Sequence, residues 1–220
     1  MGFLFCFIPL LLCFPVFMLG FRLRASHLFV AALMGLAAVL PISVIQFLVP
    51  DIRFLEQNSP LLYTLLKSLL LYGLVEEAIK TVCLLPIPHK NGTLISFFLL
   101  SLFSGLTLGC FESTVYFLDH LQSAAARGAQ LLYSQIFLRI FSTDIIHAAC
   151  TGICGIFVFA RKERKNRLSC LVTAVLIHGF YDFFAGFNNG FRWFSAAVVL
   201  FSAIECRVKY LGTKTVLDSE

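Results

Sequence analysis

Between residues 61 and 86 an otherwise apolar stretch carries Glu76, Glu77 and Lys80, and this combination limits the folds open to the chain more than any other feature. A run of that length and apolarity reads as a membrane helix. A charge near the bilayer centre costs about 2.5–3.5 kcal/mol on insertion scales, so three such groups within five residues need partners from elsewhere in the chain. Glu76 and Lys80 are i,i+4 and share a helix face, while Glu77 is turned about 100° away. Other helices must therefore close around this one.

The rest of the chain supplies them. Its 220 residues are 59% hydrophobic and 13% charged, which describes an all-α, polytopic membrane protein rather than a soluble domain. Seven apolar spans can be read, at about residues 3–19, 28–49, 61–86, 94–118, 132–160, 168–187 and 193–206, with Pro9, Pro15 and Pro41 as kinks. They are expected to form a single membrane domain over 1–220, with a core at about 61–187 and a C-terminal tail at about 207–220. The first span lacks a signal peptide's basic leader and cleavage site, so it is expected to remain as a helix. The eight cysteines have no thiolate-metal spacing and read as small buried hydrophobes.

The net charge of +5 lies in short loops, so it does not indicate a nucleic-acid partner. Arg22, Arg24, Lys90, Arg161, Lys162, Arg164, Lys165, Arg167, Arg207, Lys209 and Lys214 follow the odd-numbered spans; the alternate loops hold Arg53, Arg127 and Arg192. This asymmetry predicts odd-numbered loops and the C-terminus in the cytoplasm, with the N-terminus outside.

Further ionisable groups recur at helical spacing. Glu112 and Tyr116 are i,i+4, Asp144 and His147 are i,i+3, and His178 and Asp182 are i,i+4. Spans three to six each present a polar stripe that lipid does not tolerate, so the four should enclose a polar site. Lys80 and Arg139 read as counter-charges, Asp144 as a residue orienting Arg139 or His147, and Tyr116 as an anchor or hydrogen-bonding group. Lys67 is given no role. With all carboxylates ionised the buried set retains two negative charges, which one divalent cation or two protonated carboxyls would neutralise equally.

Two histidines and several carboxylates can build a His₂Glu zinc site with an open position for water, a second carboxylate serving as base. The same groups can also activate water without metal, through a glutamate base and a histidine donor. Both routes lead to peptide-bond hydrolysis. A proton- or ion-coupled transporter would bury similar groups, although no inverted repeat is visible. A non-catalytic scaffold binding another helix is a third reading. His-Glu-x-x-His, Gly-x-Ser-x-Gly and Gly-x-Gly-Asp motifs are lacking.

Glu76-Glu77-x-x-Lys80, Phe111-Glu112-x-x-x-Tyr116, His147 followed by Gly152, and His178-x-x-x-Asp182 resemble, in order, the motif set of the PrsW intramembrane proteases. That family is similar to the type II CAAX prenyl proteases. The resemblance implies a bacterial plasma-membrane endopeptidase that makes the first, external-side cut in a membrane-anchored anti-sigma factor during a stress response. It implies that Glu76 and Glu77 activate water, that Glu112 and His178 bind or polarise at the centre, and that His147 completes the site. Glu112, His147 and His178 are then the expected ligands of a zinc or other divalent ion.

Overall fold

The computed structural model describes residues 2–50, 53–88, 92–127, 129–187 and 190–219, with side chains of 2, 53, 122–127, 129 and 131 left aside. Lys90, among the loop basics above, lies outside the described residues. Among those residues all regular structure is helical. A 3-10 turn (Gly2–Phe7) leads into α1 (Ile8–Pro15) and a π-helical turn (Val16–Gly20). Then come α2 (Ala25–Leu48), α3 (Arg53–Asn58), α4 (Pro60–Lys67), a π-helix (Ser68–Leu74) and α5 (Val75–Leu84). The chain continues through α6 (Leu94–Arg127), α7 (Ala129–Ile140), α8 (Thr143–Lys162), α9 (Leu168–Ala185) and α10 (Trp193–Asp218).

Five helical segments are long and apolar enough to cross a membrane on length and composition: Phe3–Gly20, Ala25–Leu48, Leu94–Leu121, Leu132–Lys162 and Leu168–Ala185. The two expected spans that do not qualify have identifiable reasons. The helical run α4–π–α5 contains Lys67, Glu76, Glu77 and Lys80, so the site itself lowers its apolarity. The α10 helix mixes apolar residues with Glu205, Arg207, Lys209 and Lys214 and continues through most of the expected tail. Its later turns pack back on the bundle, with Leu217 against the core and Thr213 buried. The expected span at 132–160 divides at Phe141–Ser142 into α7 and α8.

Helix α8 is the axis of the bundle: most of its residues are buried, and α6, α9, α5 and α10 surround it. The largest core cluster joins Leu84, Phe97, Leu100, Ile153 and Ile156 and extends along α8 to Ile146 and along α9 to Tyr181. Outward faces carry exposed Leu11, Leu40, Phe47 and Leu200. Apolar surface on that scale suits a lipid environment. Several crossings depend on glycine, two of them beside the site. At Gly105 of α6 a Cβ would run into the His147 carbonyl and the Thr151 side chain of α8. At Gly73 a Cβ would lie 2.6 Å from the Val175 carbonyl oxygen and 3.1 Å from the Gly179 nitrogen of α9. Small residues at such crossings let backbones approach and set the distances between the side chains that follow.

Candidate active site

The π-helix before α5 adds a residue per turn, a feature found often at functional sites. It hands on to Val75–Leu84, whose inward face buries Glu76, Glu77, Lys80 and Leu84. His147 comes from the first turns of α8 and His178 from the middle of α9; both are 2% exposed. The two imidazole rings meet edge to face, 5.0 Å between centroids. Glu112, on α6, reaches the same point from the other side. All five residues expected to act on substrate therefore converge beside a cavity of about 380 Å³, four of them bordering it. Glu76, Glu112, His147, His178 and Asp182 line it, whereas Glu77, 0% exposed, stands behind them.

The hydrogen bonds assign ring nitrogens. The Lys80 Nζ donates to Glu77 Oε1 at 2.8 Å and lies 2.9 Å from His147 Nδ1. An ammonium only donates, so Nδ1 of His147 accepts and its Nε2–H points to Glu112 Oε2, 2.6 Å away. His178 Nδ1 is 2.6 Å from Glu77 Oε1, which already faces Lys80 and is an acceptor. Nδ1 thus carries the proton toward Glu77, and in the neutral ring Nε2 turns its lone pair to Asp182 Oδ2 at 3.4 Å and Glu76 Oε2 at 3.7 Å. Glu77 holds Lys80 and His178 on one oxygen and takes the Cys154 thiol on the other, at 3.5 Å. It is fully buried and does not line the cavity.

The remaining expected residues fall around this centre. Arg139 Nη2 donates to Glu112 Oε1 at 2.7 Å, and its guanidinium sits 4.6 Å from the centroid of the Tyr116 ring. Tyr116 thus supports the arginine beside the site. Asp144 differs from the sequence expectation. It accepts from Ser113 at 2.8 Å and lies 3.8 Å from the Cys110 thiol, facing α6, while Arg139 is engaged by Glu112. Asp144 and His147 lie about 60° apart around the helix, and that offset turns His147 to the cavity and Asp144 to Ser113 and Cys110 of α6. Lys67 lies over the Tyr63 ring.

Some participants were not legible in the motifs. Tyr181 ties α9 to the start of α8 through Thr143 Oγ1 at 2.8 Å and Ser142 Oγ at 3.0 Å. Helix α2 forms a wall of the cavity with Val39, Ile42, Ser43 and Gln46. Its Gln46 Nε2 donates to Glu76 Oε1 at 2.8 Å. The spacing 39, 42, 43, 46 is a one-face helical stripe, and a glutamine ending it was the available signal.

Glu76, His147 and His178 each offer one atom suited to a divalent ion, all within 4.8 Å of one another, and Glu76 Oε2 lies 4.0 Å from His147 Nδ1 and 3.7 Å from His178 Nε2. Zinc takes such atoms at about 2.0–2.2 Å, so a modest contraction would bring them into range. Each histidine would have a carboxylate on its other nitrogen, Glu77 for His178 and Glu112 for His147, as metal-binding histidines usually do. Glu76 thus takes the place expected for Glu112, because both Glu112 oxygens are engaged by Arg139 and His147. One condition attaches: the Lys80 ammonium occupies the His147 Nδ1 lone pair and must withdraw for that nitrogen to bind an ion.

A family model described as PrsW family intramembrane metalloprotease matches residues 24–204. No curated protein and no solved structure matches the chain. That match takes in α2, the three carboxylates, both histidines and most of the helices around them, so the chain belongs to the PrsW family of intramembrane metalloproteases.

Proposed function

We propose that this membrane-embedded protease cuts a membrane-anchored protein at the cavity between α2, α5, α6, α8 and α9, with Glu76 as the carboxylate that acts on water. The observation carrying this reading is the convergence of Glu76, His147 and His178, each with a ligand atom within 4.8 Å of the others, at the edge of that cavity. Glu76 is the α5 carboxylate that lines the cavity, whereas Glu77 is fully buried behind it and engaged by Lys80, His178 and Cys154. Glu77 therefore orients His178, and Glu76 takes the proton of the attacking water. His178 and Asp182 border the space where a scissile carbonyl would lie, and a protonated His178 Nε2 would stabilise the oxyanion that forms there. Glu112 and Arg139 hold His147 in its tautomer. In the alternative route a divalent ion held by Glu76, His147 and His178 would supply Lewis acidity toward water, in place of the base and donor roles of Glu76 and His178.

The substrate we propose is a single-span anti-sigma factor in the bacterial plasma membrane, cut on its external side. Depth supports that side. His147 lies 15 residues and His178 ten residues from the helix ends flanking the basic 161–167 loop, or about 22 Å and 15 Å at 1.5 Å per residue. Basic loops face the cytoplasm, which leaves the site at mid-membrane or beyond.

The test is cleavage of a single-span reporter with an external fluorescent domain by the purified chain in liposomes. Wild type should release the domain, while His178→Ala and Glu76→Gln should fall by at least about 10³-fold with unchanged expression and helicity. Normal cleavage by His178→Ala would remove its role, and proton uptake without fragments would favour the transporter reading.

A further inference from the structure

Glu76 has two carboxylate oxygens in different surroundings. Oε1 accepts the Gln46 hydrogen bond at 2.8 Å from α2. Oε2 faces inward, 3.5 Å from Lys80 Nζ, 3.7 Å from His178 Nε2 and 4.0 Å from His147 Nδ1. The ammonium already bonds Glu77 and His147, and its remaining N–H is the strongest nearby attraction for Glu76. A glutamate side chain has freedom to close the remaining gap, which would turn Oε2 into a direct partner of Lys80 and withdraw it from water. Gln46 pulls from the opposite side of the carboxylate. The helix that carries it is held firmly: Ala38 and Ile42 pack against Leu108, Ile79 and Cys83, and a Cβ at Gly35 would strike the Ser104 carbonyl. Gln46 follows Ile42 by one turn and shares its face.

We infer that Gln46 is a positioning residue for hydrolysis: it caps Oε1 of Glu76 and so holds Oε2 clear of Lys80 and turned to the two histidines. The inference rests on the assignment of Glu76 proposed above and adds a residue outside the four motifs. It also gives α2 a part in the chemistry, since any shift of α2 that breaks this bond releases the carboxylate to Lys80.

Two substitutions separate positioning from packing. Gln46→Met keeps length and apolar contact but removes the donor. Gln46→His places a ring Nε2–H near the position of the glutamine Nε2. With the single-span reporter in liposomes, Gln46→Met should lower kcat at least about tenfold, the scale of a misplaced catalytic group, while KM stays within about twofold. Its unfolding midpoint in detergent should match wild type, and Gln46→His should recover kcat to within about threefold of wild type. The inference is overturned by a Gln46→Met kcat within about twofold of wild type, by a loss confined to KM or to thermal stability, or by a Gln46→His enzyme as slow as Gln46→Met. A wild-type chain that leaves the reporter intact overturns the protease reading itself, and the role of Gln46 with it; a wild type that cuts beside an equally active Gln46→Met overturns Gln46 alone.

Discussion

At the residue scale the site is governed by Lys80. It is 2% exposed, bonded to Glu77 and His147 and close to Glu76, and thus acts as the internal cation of a carboxylate-rich cluster. Removing one partner of a buried ion pair leaves the other uncompensated, at a cost of about 3–5 kcal/mol. Lys80→Met should therefore lower the unfolding midpoint sharply. It also frees the His147 Nδ1 lone pair, so added Zn²⁺ should raise the midpoint of Lys80→Met more than that of wild type. An equal shift in both proteins would show that Lys80 does not compete with the ion. The two adjacent glutamates should differ in kind: Glu76→Gln should abolish cleavage with little loss of stability, whereas Glu77→Gln should lower stability as well, since Lys80 and His178 both depend on it. Thermal melts alongside reporter cleavage distinguish the two patterns.

At the element scale, close crossings and a π-helix determine where those residues land. The π segment Ser68–Leu74 crosses α9 at Gly73, where the helices leave no room for a Cβ. Overpacking a well-packed site typically costs about 1–3 kcal/mol, so Gly73→Val should destabilise by at least that amount. Because α5 follows this crossing directly, the same substitution should reduce cleavage more than its stability loss accounts for. Measuring activity per folded molecule tests this; activity that tracks the folded fraction alone would separate the crossing from the site. Sequence periodicity found the stripes of α5, α8 and α9, since each repeats ionisable residues at three- or four-residue spacing. It did not find α2, whose face toward the cavity is mostly apolar and ends in one glutamine.

For the whole molecule, the arrangement is a helical bundle in which the polar cavity lies beside the apolar core, with Ile146 in the core and the adjacent His147 on the cavity. The basic loop at 161–167 and the later turns of α10 lie at one end, joined by the Arg167 guanidinium donating to the Gly212 carbonyl. On the charge asymmetry of the loops we propose that this end faces the cytoplasm. An exposed cysteine introduced there as Glu163→Cys should react with an impermeant maleimide only in opened cells, whereas Gln57→Cys, after α2, should react in intact cells. The reverse labelling would invert the orientation and place the cavity toward the cytoplasmic side.

What the linear chain determined follows from the cost of placing polar groups in hydrocarbon. Long apolar runs had to be helices, and ionisable residues repeated at helical spacing had to face one another, so the all-α fold and the five converging residues were readable before any coordinate. Pairings were not readable, because helical spacing gives a face but neither the rotation of one helix against another nor the depth at which they cross. Tertiary packing decided that Glu112 takes Arg139 and His147, that Asp144 turns to Ser113, and that Gln46 reaches Glu76. The physical reason is that glycine crossings such as Gly105 against His147 and Gly73 against Gly179 set interhelical distances to within a bond length, and hydrogen bonds form or fail on that scale.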